Sequence, residues 1–386
     1  MWIPFNKLLF FPVAVFAMLS CRTTLKTASQ PKASIQSLRL LGEYEIPYGF
    51  SFQNTTVGGL SGIDYDAGKD CYYLICDDRS AINPARFYTA RIFFTQKGID
   101  SFRFTGMNYL LQPGGIVYPG SKTDIQNTPD PEAIRFDPVH SRLVWSSEGE
   151  RIIREKEIIL SNPAIRFIGM DGKTTDSITL PGNLYMQSIE KGPRQNSVFE
   201  GMSFAENFKS LFVSVEEPLY EDGPRADTME NVAYIRILKF DPITKKVKHQ
   251  FAYKLEPVAY PAQPSTGYKI NGVPDILSTG KDRLLVIERS YSTGRTACTV
   301  KLFTVNLADA TDISRNPSLK ENRDFRPAEK KLLLNMDELG IYIDNIEGVT
   351  FGPLLPNGHK TLLFVADNNF STIQKSQLLL FEIIEK

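Results

Sequence analysis

Ser61-Gly62-Ile63-Asp64-Tyr65-Asp66 is a phrase that this chain repeats. It returns as Glu132-Ala133-Ile134-Arg135-Phe136-Asp137 and as Glu200-Gly201-Met202-Ser203-Phe204-Ala205. A looser copy is Pro274-Asp275-Ile276-Leu277, and the last is Glu347-Gly348-Val349-Thr350-Phe351-Gly352. The copies start 71, 68, 74 and 73 residues apart. Each is answered by a short apolar run ending in acid: Leu74-Ile75-Cys76-Asp77-Asp78, Val144-Trp145-Ser146-Ser147-Glu148, Phe212-Val213-Ser214-Val215-Glu216-Glu217, Leu285-Val286-Ile287-Glu288 and Leu363-Phe364-Val365-Ala366-Asp367. The acid follows the start of its phrase by 16 residues in the first three copies, by 14 in the fourth and by 20 in the fifth. In the fifth, Pro356-Asn357-Gly358 lengthens the turn. A fixed period of this kind marks a repeat architecture, in which each unit buries its apolar face against the next.

Within each module, short segments rich in Val, Ile, Leu, Phe and Tyr alternate with Gly, Pro, Asn and Asp, which is strand-and-turn composition. Four strands recur per module; in the third they are predicted over Thr175–Leu180, Phe199–Phe204, Leu211–Val215 and Val232–Phe240. No long stretch carries an apolar period of 3.6, so helices should be few. Four antiparallel strands per repeat, copied around an axis, describe an all-β fold, the β-propeller. Five blades are counted, and a degenerate sixth has room in loops such as Gln112–Asp130 and Glu217–Glu230. The last module ends with Gln377–Ile384 as a third strand, and a spare strand, Leu38–Ile46, precedes the first phrase. Pairing these two would close the ring and remove open sheet edges. Phe136, Phe204 and Phe351 then read as interblade core, and Trp145 as packing.

The chain has 386 residues, with 44 Lys+Arg against 44 Asp+Glu. That balance argues against nucleic-acid binding, which needs an excess of Lys and Arg on one face. Lys7 precedes an apolar run from Leu8 to Leu19, too short to span a bilayer and typical of an export signal. It ends at Met18-Leu19-Ser20-Cys21, similar to a bacterial lipoprotein cleavage box, so Cys21 is the expected acylation site. The expected organisation is a signal over 1–21, a polar tether over 22–37 and one propeller over 38–386. An exported protein held at the cell envelope by lipid follows, with plain secretion as the alternative. Cys71 and Cys76 lie on opposite faces of one strand and cannot bridge each other. With Cys298 they read as buried free thiols. His140, His249 and His359 fall in polar turns or outer strands, which argues against a zinc site or a His-based triad. No G-x-S-x-G elbow and no phosphate-binding Gly loop is present.

Carboxylates remain. The inner strand of a blade points its end at the central channel, so equivalent positions of the five modules converge there. One ring is expected to hold Ser61, Glu132, Glu200, Asp275 and Glu347. A second holds Asp77, Glu148, Glu216, Glu288 and Asp367, with Asp78, Glu217 and Asn368 adjacent. Converging acids repel and need a cation, a basic partner or shared protons. Oxygen donors of this type suit a hard cation such as calcium. Asp78-Arg79 followed by Arg86 is matched by Glu288-Arg289 followed by Arg295, and such arginine forks suit a phosphate or carboxylate group.

Gly59-Leu60-Ser61-Gly62, Cys76-Asp77-Asp78-Arg79, Asp130-Pro131-Glu132-Ala133-Ile134, Phe199-Glu200-Gly201-Met202, Leu285-Val286-Ile287-Glu288-Arg289-Ser290 and Asn345-Ile346-Glu347-Gly348-Val349 form an ordered series. Together they resemble the bacterial phytase-like family described as having esterase-like activity, over roughly Leu40 to Glu385. The resemblance implies hydrolysis of ester bonds, phosphoesters among them. The expected enzyme is a calcium-assisted phosphoesterase or esterase. Arg79 and Arg289, with Arg86 and Arg295, would hold a small anionic ester, while Glu200, Glu216 or Glu132 would orient water. Asp77, Asp78, Glu148, Glu217, Glu288, Glu347, Asp367 and Asn368 would hold the metal. Two other readings stand beside it: a non-catalytic propeller that binds a ligand or protein on its loop face, and a metal-dependent lactonase-like propeller.

Overall fold

The computed structural model describes residues 1–2 and 35–385. Cys21, most of the expected leader and the expected tether up to residue 34 lie outside the described residues. Five antiparallel sheets form a five-bladed β-propeller, with two small hairpins outside the blades, Ser51–Phe52 with Thr55–Thr56 and Glu150–Arg154 with Glu157–Ser161, and only two short 3-10 turns, Gly182–Leu184 and Met336–Leu339, among the described residues.

Each repeated phrase is the innermost strand of its blade. Blade 1 runs outward through Leu60–Asp66, Cys71–Cys76, Arg86–Thr95 and Gly98–Tyr109. Blade 2 is Pro131–Asp137, Arg142–Ser147, Ala164–Ile168 and Thr174–Ser177. Blade 3 is Phe199–Ala205, Ser210–Val215, Tyr234–Asp241 and Lys246–Lys254. Blade 4 is Ile276–Gly280, Arg283–Ser292, Thr299–Asn306 and Glu329–Asn335, with an added strand, Lys269–Gly272. Blade 5 is Asn345–Gly352, Thr361–Asp367, Ser376–Glu385 and then Ile35–Ile46. The ring therefore closes as expected, with Leu38 opposite Ile383 and Ile46 opposite Ser376.

One boundary needs correction. The segment expected to open the third module, Thr175–Leu180, supplies instead the outer strand of blade 2, pairing with Ala164–Ile168. A blade starts at its phrase, so what precedes a phrase belongs to the blade before it. Two-residue alternation of apolar side chains on both faces of each sheet builds one core per blade interface. Between blades 1 and 2, for example, Tyr73, Ile75 and Phe87 pack on Phe136, Leu143 and Trp145. Between blades 3 and 4, Phe212 and Ile237 pack on Ile276, Val286 and Phe303.

In three of the five inner strands, at Gly62, Gly201 and Gly348, neighbouring atoms approach too closely for a side chain. A Cβ on Gly62 would lie 2.8 Å from the Glu132 carbonyl oxygen, and one on Gly201 would lie 2.8 Å from the Asp275 Cα. Glycine here answers a packing demand between neighbouring strands. The pairing registers equate Ile63, Ile134, Met202, Ile276 and Val349, each opposite the same position of its second strand. The buried guanidinium of Arg135 donates to the backbone carbonyls of all five: Ile63 at 2.7 Å, Ile134 at 2.9 Å, Met202 at 2.6 Å, and Ile276 and Val349 at 3.4 Å. One side chain thus pins every blade and fills the axis three residues beyond Glu132.

Candidate functional site

The ends at which the inner strands begin open into a cavity of about 520 Å³. Asp77, Asp130, Glu132, Glu200, Glu216 and Glu347 line it together with Arg79 and Arg289. Glu148 and Asp367 lie in the same cluster. Ligand atoms of Asp130, Glu132 and Glu148 fall within 4.8 Å of one another, as do those of Glu148, Glu200 and Glu216. Glu148 is common to both groups.

Burial pushes these carboxyls upward, and their neighbours add to it. Burial raises Glu132 and Glu200 well above the usual range, aided by their mutual repulsion in the first case and by Glu216 in the second. Glu148 is raised by burial and then by Asp130, and Asp77 by burial and then by Asp367. Glu216 is pushed up to about 7 by burial, although Arg289 pulls it down, and burial with Glu347 lifts Asp367 to about 8. Asp130 reaches about 6 because burial outweighs Arg79. Each shift says that full ionisation is costly in this cluster without added positive charge.

The chain supplies part of that charge. Arg289 reaches across the cavity, donating to Glu216 Oε1 at 2.8 Å from one terminal nitrogen and to Asn345 and Glu347 from the other. Arg79 donates to Glu150 Oε2 at 2.6 Å and lies 3.5 Å from Asp130. Three buried carboxylate oxygens have no donor among the described residues, Glu148 Oε2, Glu217 Oε1 and Asp367 Oδ2, and the first and last belong to this cluster. Glu148 accepts one backbone bond, from Val198, through its other oxygen.

Several expectations are corrected by register. In four blades a bulge beside the phrase offsets the two strands, as between Leu60 and Gly62, and blade 4 has none at that point. Counting three residues past the partner of the Ile63-type position gives Asp77, Glu148, Glu216 and Asp367, but Arg289 in blade 4. Glu288, one residue earlier, points to the opposite face. There it accepts from Tyr253, Asn271, Lys330 and the Glu256 amide and holds blades together. The second ring is therefore four acids and one arginine. Asp275 shifts likewise: it occupies the position of Gly62 and Gly201, and its carboxylate pairs with Arg135 below the cavity. Ser61 donates to the Glu132 carbonyl at 2.7 Å and serves the backbone.

Four more expected site residues are structural. Asp78 caps a turn, accepting from the amides of Ala81, Ile82 and Asn83, and pairs at 2.8 Å with Arg86, which is fully buried and away from the cavity. Glu217 accepts from Ser197 at 2.5 Å and from Arg225. Asn368 accepts from the amides of Gly59 and Phe370, both at 3.1 Å, tying blade 5 to blade 1. Arg295 does reach the cavity rim, stacked 3.8 Å over the ring of Tyr260. The apparent match between the two arginine pairs is thus a coincidence of spacing.

Sequence reasoning missed Asp130 and Asn345 as site residues. They precede Glu132 and Glu347 by two, and in a strand residues two apart share a face. Asn345 Nδ2 donates to Glu347 Oε1 at 2.8 Å. The spacing Asp130-Pro131-Glu132 and Asn345-Ile346-Glu347 was the available signal. Cys71, Cys76 and Cys298 are buried free thiols, and the three histidines pair on the surface with Asp137, Asp312 and Glu382.

Among solved structures, the chain is similar to the α-L-arabinofuranosidase from Lactobacillus brevis, with 10% identity, 84% of this chain and 91% of that chain covered, and a TM-score of 0.43. It is similar to the endo-arabinase from Bacteroides thetaiotaomicron, with 11% identity, coverages of 85% and 94%, and a TM-score of 0.38. It is also similar to the exo-β-1,3-galactanase from Phanerochaete chrysosporium, with 10% identity, coverages of 88% and 64%, and a TM-score of 0.45. No curated protein matches it significantly. The profile for "Phytase-like: Esterase-like activity of phytase" matches residues 55–370, so the chain belongs to the phytase-like family.

Proposed function

We propose that the protein is a cation-assisted hydrolase of small anionic esters, phosphoesters foremost, working in the mouth of its channel. The observation that carries this reading is the buried pair of donor-less oxygens, Glu148 Oε2 and Asp367 Oδ2, within a cluster of acids held above their normal range. The donor set is all oxygen, which suits calcium, with Glu148 and Glu216 and the Asp130–Glu132 pair as its holders. When bound, such a cation would lower the charge cost of an anionic substrate and polarise it.

The chain's own groups supply the rest. Glu200 makes no side-chain hydrogen bond among the described residues, so its oxygens are free to take a proton from water. Burial, then the neighbouring Glu216 carboxyl, raises its affinity for protons, the direction a general base needs. Arg289 and Arg79 face the same space and would orient the anionic group. Arg135 closes the axis beneath, so substrate and water would enter from one end only. Export and lipid attachment through Cys21, with a monomeric propeller facing outward from the membrane, complete the proposal and rest on the sequence.

The test is to assay the purified chain on aryl phosphates, aryl esters and lactones, with calcium and with chelator. Calcium-dependent turnover of an anionic ester supports the reading. Turnover of lactones alone would favour the lactonase-like alternative. No turnover on any class, with no thermal shift on adding calcium, would leave a binding scaffold.

A further inference from the structure

The geometry points to a substrate whose anionic group is joined to a flat apolar leaving group, an aryl monoester of phosphate, in preference to a polyol phosphate. This rests on the reading of the cavity as an anion-binding hydrolase site and narrows it.

Only blade 4 carries a fifth strand. Lys269–Gly272 pairs with the far half of Arg283–Ser292, setting Ile270 opposite Tyr291 and Gly272 opposite Arg289. Opposed residues share a face, and so do residues two apart. Arg289 and Tyr291 therefore stand side by side on the cavity face, with Ile270 beside them. Glu288 and Asn271 point the other way and bond to each other at 2.7 Å. Tyr268 continues the alternation, its ring centroid 6.4 Å from that of Tyr291. All four residues line the cavity. The added strand thus sets a wall of two phenol rings and an isoleucine directly next to the guanidinium that would take the anion. A group esterified to that anion has this wall as its neighbour, and aromatic rings prefer offset or edge contacts with such a surface.

Charge argues the same way. Seven carboxyl side chains line the cavity against three arginines. Arg79 and Arg289 are already paired with acids, and Arg295 is stacked on Tyr260. A ligand bearing many phosphates would meet far more repulsion than one bearing a single phosphate. Half of the Tyr268 surface is open, at 56%, so an incoming ring can reach it without displacing core.

Titration calorimetry in calcium with three probes decides the matter: methylphosphonate, phenylphosphonate and an inositol monophosphate. The expected result is that phenylphosphonate binds about tenfold tighter than methylphosphonate, since a stacked ring contributes on that order. Tyr291→Ala and Tyr268→Ala should each bring the ratio of phenyl- to methylphosphonate affinity down toward one. Tyr268 is exposed enough that its variant keeps the comparison usable if Tyr291→Ala folds poorly. Equal binding of methyl- and phenylphosphonate, or tighter binding of the inositol monophosphate, would overturn the inference alone. Failure of every probe to bind would overturn the anion-site reading, and this inference with it.

Discussion

Arg135 and Asp275 meet on the propeller axis, one terminal nitrogen of the arginine lying 2.7 and 2.6 Å from the two carboxylate oxygens of the aspartate. Asp275 also accepts from the Val349 amide at 2.8 Å, so the pair joins blades 2, 4 and 5 directly. Both side chains are buried. Burial raises Asp275 to about 6 even though Arg135 opposes it.

Breaking this pair from either side should be costly. Arg135→Met leaves Asp275 buried without its partner and several carbonyls without a donor, and a loss of about 3–5 kcal/mol is expected. Asp275→Asn should cost less, because the amide can still accept from Arg135. Denaturant unfolding of the two single variants and the double variant checks this. Strictly additive losses would mean that the pair is not coupled.

The acid cluster should make the cation-free protein less stable as pH rises. Asp130, Glu216 and Asp367 have folded-state values of about 6, about 7 and about 8, all above their ordinary ones. The folded state therefore binds protons more tightly than the unfolded state, and stability falls with rising pH across that range. In chelator, the melting temperature should be higher at pH 5 than at pH 8. Calcium should reverse the order, since it favours the ionised cluster. A melting temperature in chelator that climbs from pH 5 to pH 8 would contradict the assignment.

Arg289 serves as the built-in counter-charge of the cluster. Arg289→Gln should destabilise the cation-free protein at pH 8, above the value of about 7 for Glu216, and far less at pH 5. The same variant should lose affinity for anionic ligands. Equal destabilisation at both pH values would indicate a packing role instead.

The strand Ile35–Ile46 seals the ring. Deleting residues 1–46 removes it and leaves Ser376–Glu385 as an open edge with an apolar face. Such edges pair with other chains. Light scattering should show aggregation of that variant and not of one lacking residues 1–34.

Most of the architecture was legible because the phrase and its acid are covalently local and recur, so five inner strands and the ring-closing pair could be counted directly. The register at the axis was not. Neighbouring inner strands crowd at Gly62, Gly201 and Gly348, and those contacts reach residues some 70 positions away or, for Gly348, Ser61 at the other end of the ring. Reading Glu288 instead of Arg289 into the ring followed from taking the acid that ends each apolar run as the ring position. Asp78, Glu217 and Asn368 misled for a related reason. An acid or amide at a strand end looks alike whether it faces the channel or caps a turn, and only the amide donors around it distinguish the two. The role of Arg135 had no local mark at all, since its partners are the carbonyls of five separate segments.

The central claim is that Glu148 and its neighbours form a cation site, and calcium titration by calorimetry on the wild type and on Glu148→Gln tests it most directly. The account predicts saturable binding by the wild type at neutral pH. Glu148→Gln should bind at least tenfold more weakly while melting in chelator no lower than the wild type. Wild-type protein that takes up no calcium, or a Glu148→Gln variant that binds it equally well, would contradict the account.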